Sequence, residues 1–311
     1  MTPVASWVSK VKLKGHVYLR EPMERHTTWR IGGPAEMLVE PADQEDLALI
    51  LRLAREEGIP LNLIGNGSNI LVGDAGVPGI VVKMGQAMGE VKVEGRRLRA
   101  GAGAKLARLA ALAQVAGLAG LEFTCGIPAS LGGAVVMNAG AAGQSMAEVV
   151  RWVKVMDREG RVEILRGEEL GFGYRQSVLQ HLPVVVLEVE LELCPDDPTA
   201  VARRMAAVWR KRQLTQPLEY PSAGSVFKNP PGAPAAGKLI ELAGGKGLRV
   251  GEAMVSPKHA NFIVNLGRAR ATDVLCLIRQ VQSLVEAKFG IKLEPEVKFL
   301  GSFGWDGEIC A

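Results

Sequence analysis

Ile64-Gly65-Asn66-Gly67-Ser68-Asn69-Ile70-Leu71-Val72 is the stretch on which the fold turns. Apolar runs flank it, 61–64 on one side and 80–84 on the other, so a strand enters a glycine-rich loop and another leaves it. Gly65 and Gly67 can take positive φ and expose their backbone N–H groups, while Ser68 and Asn69 add side-chain donors. Amides that converge in this way suit an anion, and the two phosphates of a nucleotide fit the description. A tight strand-to-strand turn is the other reading of the same residues.

Upstream, Asp43 is placed to cap a helix carrying Leu47, Ile50, Leu51 and Ala54 on one face, ended by Gly58 with Pro60 beyond. Strand, helix and strand thus deliver the loop from a small α/β unit. Downstream, short strands at 91–93 and 98–100 precede an alanine- and leucine-rich helix from Lys105 to Ala116, ended by Gly117. The run from Phe123 to Ala147 carries no charge, yet Gly126, Pro128, Gly132, Gly133, Asn138, Gly140 and Gly143 rule out a lipid-exposed helix. Within it, Gly126-Ile127-Pro128-Ala129-Ser130-Leu131-Gly132-Gly133-Ala134 offers small side chains and free amides against which a planar ring or a pyrophosphate could lie. Packing alone could demand the same small residues.

A hairpin follows, 149–157 and 161–165 about Asp157-Arg158-Glu159-Gly160. The next strand, 184–193, alternates branched apolar residues with Glu188, Glu190 and Glu192, which predicts one wet face. Pro195-Asp196-Asp197-Pro198 then reads as a linker and domain boundary. Beyond it come a helix with a basic end at Arg210, Lys211 and Arg212, the turn-rich 217–230, and a long amphipathic helix from Thr272 to Phe289, with Thr272 as cap and Gly290 at its end. The last strand holds residues 293–301.

Among 311 residues, 48% are hydrophobic and 23% charged, which excludes disorder and suggests two or three domains. Lys plus Arg number 37 against 33 Asp plus Glu, a net charge of +4, and the basic residues are scattered, so a nucleic-acid footprint is not indicated. Cys125, Cys194, Cys276 and Cys310 lie far apart without a C-x-x-C pair, which suggests neither zinc nor a disulfide framework and fits a reducing cytoplasm. The first fourteen residues lack the apolar core of a signal peptide.

The motifs T-T-W-R-I-G-G-P-A, G-N-G-S-N-I-L-V, G-I-P-A-S-L-G-G-A-V-V-M-N-A-G, G-Y-R-Q-S, S-A-G-S-V-F-K-N-P, K-H-A-N-F-I-V-N and L-E-P-E-V-K-F-L-G, in this order over residues 20–301, resemble the UDP-N-acetylenolpyruvoylglucosamine reductases. The resemblance implies an α+β protein with a two-subdomain FAD-binding fold of the vanillyl-alcohol oxidase (PCMH) type plus an α+β substrate-binding domain. Residues 1–85 would form the first FAD subdomain, 86–197 the second together with 294–311, and 199–293 the substrate-binding domain. Only Gln176–Pro183 separates Arg175 from the next strand, too short for the tyrosine-bearing insertion of some members, so the shorter class is implied. Glycine is commoner than Ala129 in the G-I-P loop, a departure that is tolerable where φ is negative.

The implied reaction is NADPH-dependent reduction of an enolpyruvyl ether to a lactyl ether, giving UDP-N-acetylmuramate for peptidoglycan in the cytoplasm through non-covalent FAD. Gly65, Asn66, Gly67, Ser68 and Asn69 would hold the FAD pyrophosphate. Gly126, Ile127, Ser130, Gly132, Gly133 and Ala134 would line the same cofactor, with His259 and Asn261 near the flavin or nicotinamide. Arg175, Ser225 and Glu296 match the catalytic positions, and Tyr174, Lys228 and Asn229 would meet the substrate. Arg210–Arg212 or Lys228 would clamp its diphosphate. The chemistry suits these types, since a guanidinium fork fits a carboxylate and an acid must protonate the carbon next to it. NADPH and the enolpyruvyl nucleotide would take turns in one pocket, which accounts for the absence of a G-x-G-x-x-G in a strand-to-helix setting. A metal, a nucleic acid and membrane insertion are not expected. A sugar or lactone oxidase of the same flavin fold and a non-redox nucleotide-sugar binding protein remain as other readings.

Overall fold

The computed structural model describes residues 12–304. The chain begins with β1 (His16–Pro22), β2 (Pro34–Glu40), α1 (Gln44–Glu56), β3 (Leu61–Ile64), β4 (Ile70–Val72) and β5 (Val77–Lys83). Then come β6 (Val91–Glu94), β7 (Arg97–Gly101), α2 (Leu106–Val115), β8 (Leu118–Ala119), α3 (Leu131–Val136), β9 (Gly140–Ala141) and β10 (Gln144–Ser145). They are followed by β11 (Val150–Asp157), β12 (Val162–Arg166), β13 (Val184–Glu192), β14 (Cys194–Pro195) and the long α4 (Pro198–Thr215). The last elements are α5 (Ala236–Leu242), β15 (Arg249–Val250), β16 (Ala253–Val255), β17 (Ile263–Asn265), α6 (Ala271–Phe289) and β18 (Lys298–Leu300). They divide into two compact units, each gathered from separate stretches of chain. The first takes the described residues through Leu19, Met37–Asn66 and Gly79–Arg212; the second takes Arg20–Glu36, Gly67–Pro78 and Gln213 onward.

In the first unit, Asp43 caps α1 as its position predicts, accepting from the N–H groups of Glu45 and Asp46 at 3.0 and 2.9 Å. Leu47, Ile50, Leu51 and Ala54 are buried on its inner face. Each such large aliphatic side chain stabilises the core by about 1.5–3 kcal/mol. A four-stranded sheet runs in the order β1-β2-β5-β3, and a five-stranded sheet runs β12-β11-β13-β7-β6. The 157–160 hairpin forms as expected, the Asp157 carboxylate accepting from the N–H groups of Glu159 and Arg161 at 2.9 Å.

Two expectations in this unit are corrected. Alternation predicts a wet Glu190, but it is 1% exposed, because Arg99 reaches its carboxylate at 2.5 Å and Arg151 at 3.6 Å across the sheet face. A period-two pattern reports which face a residue takes and not what covers that face. The linker reading of 195–198 also fails locally. Pro195 pairs with Leu118 in β14, Asp196 bonds Gly117 and Arg204, and Asp197 accepts from the Ala200 N–H in the first turn of α4.

The second unit has its own core, built on Trp29, Leu71, Phe227, Leu239, Ile240, Val255, Ile263 and the inner face of α6. Trp29 is fully buried; its indole N–H donates to the Ile263 carbonyl at 2.8 Å, and Asn265 donates to its carbonyl at 3.0 Å. β15, β16 and β17 form an antiparallel sheet, and β18 lies parallel to β4 with Phe299 opposite Leu71. The expected strand over 293–301 is regular only at β18, with Pro295 joined to Phe227 by an isolated bridge. Thr272 is not the cap of α6. The Asp74 carboxylate takes that part, accepting from the N–H groups of Ala271 and Thr272 at 2.8 and 2.9 Å. Among the described residues, Cys125 and Cys194 are free thiols. No helix among the described residues is long and apolar enough to cross a membrane.

Candidate active site

In the first unit the two glycine loops meet. The Asn66 amide donates to the Pro128 carbonyl at 2.6 Å, fixing the glycine-rich loop against the G-I-P turn. A Cβ on Gly65 would lie 2.1 Å from the Ser130 hydroxyl oxygen, so only glycine fits there. That hydroxyl is buried and has no hydrogen-bond partner, although a buried polar group normally finds one. An oxygen-rich ligand at this place would satisfy it, and the small neighbours Gly65 and Gly133 leave the backbone approachable. The donors present therefore suit the diphosphate of FAD.

The expected free amides of the second loop are fewer than the sequence suggested. Ile127 donates to Thr124, Leu131 to Ala104, Gly132 to Ala102 and Ala134 to Ser130, at 2.8–2.9 Å. Folding engages these N–H groups in the turns that hold α3, which sequence pattern does not reveal. Ala129 is not among the positive-φ residues, so its departure from glycine is without strain. Gly126, at φ +78°, has the Trp209 ring and the Arg212 side chain pressed against it, 2.8 and 2.9 Å from where its Cβ would stand. Burial lowers the Arg212 pKa from its ordinary value and raises that of the Cys125 thiol. Arg210 and Lys211 are exposed at the helix surface, whereas Arg212 is half-buried.

Arg175 also belongs to the first unit. It holds φ +57°, uncommon for a residue with a side chain, and its guanidinium donates to the Gly140 carbonyl at 2.9 Å while lying 5.2 Å from the exposed Tyr174 ring. The turn is held from beneath. Gln180 donates to the Arg175 carbonyl at 3.0 Å and Asn138 to the Gly173 carbonyl at 2.9 Å. Asn138 lies within the quoted run G-I-P-A-S-L-G-G-A-V-V-M-N-A-G, whereas Gln180 lies in no motif.

The second unit brings Ser225 and Glu296 onto adjoining backbone. The Glu296 N–H donates to the Val226 carbonyl at 2.7 Å, one residue beyond Ser225, and the Lys228 N–H donates to the Glu294 carbonyl at 2.9 Å. The Lys228 ammonium is ion-paired with Glu294 at 2.5 Å. The Asn229 side-chain oxygen accepts from the Ala236 N–H at 3.0 Å, at the start of α5. Gly67, at φ +63°, would place a Cβ 2.0 Å from the His26 carbonyl, which makes glycine obligatory there. Half-buried Ser68 follows it. The Asn69 amide donates to the Glu296 carbonyl at 3.2 Å.

His259 is half-buried, with its ring 4.8 Å from Phe262, and burial keeps its pKa below the usual 6.5. Its Nδ1 accepts from the Asn261 N–H at 3.3 Å, which leaves the neutral ring's proton on Nε2. The expectation that the Asn261 side chain touches flavin or nicotinamide is corrected, because both ends of its amide bond Phe227, at 2.8 and 2.9 Å.

Comparison with known proteins bears on both units. Residues 216–300 match the family model described as UDP-N-acetylenolpyruvoylglucosamine reductase, C-terminal domain, and residues 35–166 match that of an FAD binding domain. The UDP-N-acetylenolpyruvoylglucosamine reductase of Heliobacterium modesticaldum is 53% identical over 291 residues, 94% of this chain and 93% of the relative. That of Moorella thermoacetica is 50% identical over 289 residues, 93% and 95% of the two chains. The crystal structure of the Thermus caldophilus reductase is similar with a TM-score of 0.80 at 42% identity, covering 93% of this chain and all of that one (100%).

Proposed function

The chain belongs to the UDP-N-acetylenolpyruvoylglucosamine reductase family, and from that premise we propose that Arg175, Ser225 and Glu296 carry its reaction and that the two glycine loops hold its flavin. It is an FAD-containing oxidoreductase of α+β fold that reduces the enolpyruvyl ether of a UDP-sugar in peptidoglycan precursor synthesis, with NADPH as reductant. The oxidase and the non-redox binding protein are not favoured.

Bound FAD supplies the hydride relay between NADPH and the terminal carbon of the enolpyruvyl group. Hydride addition there leaves negative charge on the neighbouring carbon, delocalised into the carboxylate. The Arg175 guanidinium pairs with that carboxylate and opposes the charge as it grows. Ser225 passes its hydroxyl proton to the neighbouring carbon, which completes the lactyl ether, and Glu296 is the second acid that stabilises or protonates the enol. Tyr174, Lys228 and Asn229 meet the sugar nucleotide. The loop Gly65–Asn69 and the run Gly126–Ala134 hold the FAD diphosphate non-covalently, with the Ser130 hydroxyl as a donor and His259 by the ring system. The cytoplasm, where both nucleotides are available, is its place of action.

The observation that best supports this reading is the bond from the Glu296 N–H to the Val226 carbonyl, which puts the two proposed acids on one backbone frame. Anaerobic mixing tests it: NADPH should bleach the bound flavin, and only the enolpyruvyl nucleotide should restore its colour. In Ser225→Ala the bleaching should persist while restoration slows about 10²–10⁴-fold, the usual contribution of a positioned acid. Equal slowing of both steps removes Ser225 from its role.

A further inference from the structure

Asn69 and Asn261 stand at opposite ends of one continuous hydrogen-bonded frame in the second unit. Asn261 is 4% exposed and makes three bonds to two successive residues. Its carbonyl accepts from the Val226 N–H at 2.9 Å, its side-chain oxygen accepts from the Phe227 N–H at 2.9 Å, and its amide donates to the Phe227 carbonyl at 2.8 Å. From there the frame passes through the Val226 carbonyl to the Glu296 N–H at 2.7 Å, and through the Lys228 N–H to the Glu294 carbonyl at 2.9 Å. Asn69 closes the far end. Its amide donates to the Glu296 carbonyl at 3.2 Å and its carbonyl accepts from the Lys298 N–H at 2.9 Å, so it grips the chain on both sides of buried Val297.

We propose that Asn69 and Asn261 are positioning residues that fix the separation of Ser225 and Glu296, the Asn69 side chain being committed to Glu296 and only its backbone left to the loop that holds the nucleotide. The proposal rests on the roles assigned above to Ser225 and Glu296. Ser225 precedes Val226 directly, so whatever holds 226–227 sets where its hydroxyl stands. Glu296 is held at its N–H by the Val226 carbonyl and at its carbonyl by Asn69, so its Cα has little freedom along the frame. The rate of a proton transfer falls steeply when donor and acceptor drift, and about 1 Å of misplacement costs on the order of 10²-fold. The same bond gives the glycine-rich loop a direct mechanical tie to the proposed carboxyl acid.

The test uses holoenzyme in anaerobic stopped flow, reading the rate of flavin bleaching by NADPH and of its recovery with the enolpyruvyl nucleotide. Asn69→Ala, Asn69→Asp and Asn261→Ala should each lower the ratio of recovery to bleaching about 10–100-fold, with the nucleotide KM changed less than threefold. Asn69→Asp keeps the shape and exchanges the amide donor for a carboxylate, so it guards against misfolding of the alanine variant. On a Glu296→Gln background, Asn69→Ala should lower recovery no further. Weakened FAD retention with an unchanged ratio makes Asn69 a flavin ligand and overturns the proposal, as does additivity with Glu296→Gln. If Ser225→Ala and Glu296→Gln themselves leave the ratio unchanged, the reading beneath fails instead.

Discussion

Burial keeps His259 neutral, and this has a consequence for stability. Desolvation disfavours the imidazolium in the folded chain, so its pKa lies below 6.5 there and returns to that value on unfolding. As the pH falls through about 6.5 the unfolded chain binds a proton that the folded chain refuses. The contribution is complete above that pH and is lost progressively below it. Thermal melts of the apoprotein between pH 8 and 5 should therefore show a decline in Tm that is shallower in His259→Gln. Equal slopes would remove His259 from the titration. The histidine was visible in K-H-A-N-F as a site candidate, but its neutrality was not, because nothing in the sequence says that Phe262 and the 256–259 turn enclose it. Ser130 shows the same division. Its place in a small-residue run was legible, and its unpartnered hydroxyl beneath Gly65 was not.

Elements whose signals are local were the ones the sequence could specify. Helix α1 carries its cap, its apolar face and its Gly58 stop between Asp43 and Gly58, and it forms over Gln44–Glu56. For α6 the periodicity sufficed but the start did not. Asp74, almost two hundred residues earlier, supplies the carboxylate that Thr272 was expected to replace with a hydroxyl. Since a carboxylate at a helix start both accepts N–H groups and opposes the dipole, Asp74→Ala should cost about 0.5–2 kcal/mol, read as a lower midpoint in denaturant melts. Thr272→Ala should cost less. If the order is reversed, the cap is local after all. β13 illustrates the converse limit, its alternation correct in phase and yet wrong about Glu190, because two arginines from neighbouring strands cover the polar face.

For the molecule as a whole, the ordered motifs disclosed the chemistry far better than the partition of the chain. Asn66 and Gly67 are neighbours in one loop, yet they belong to different units, and no composition shift marks the step between them. Each unit has its own apolar core. A flavin that binds only the folded protein adds stability by mass action, about 2.7 kcal/mol at a hundredfold excess over its Kd. Adding FAD to apoprotein should raise Tm by roughly 5–10 °C, at about 2–4 °C per kcal/mol, and an unmoved Tm would count against the proposed loops. The pairing of β18 with β4 joins stretches made far apart in time. β4 is synthesised more than two hundred residues before its strand partner, so during translation its edge stays open over that interval. The second unit therefore gains this pairing only after residues 298–300 have been made, however early its first strand was laid down.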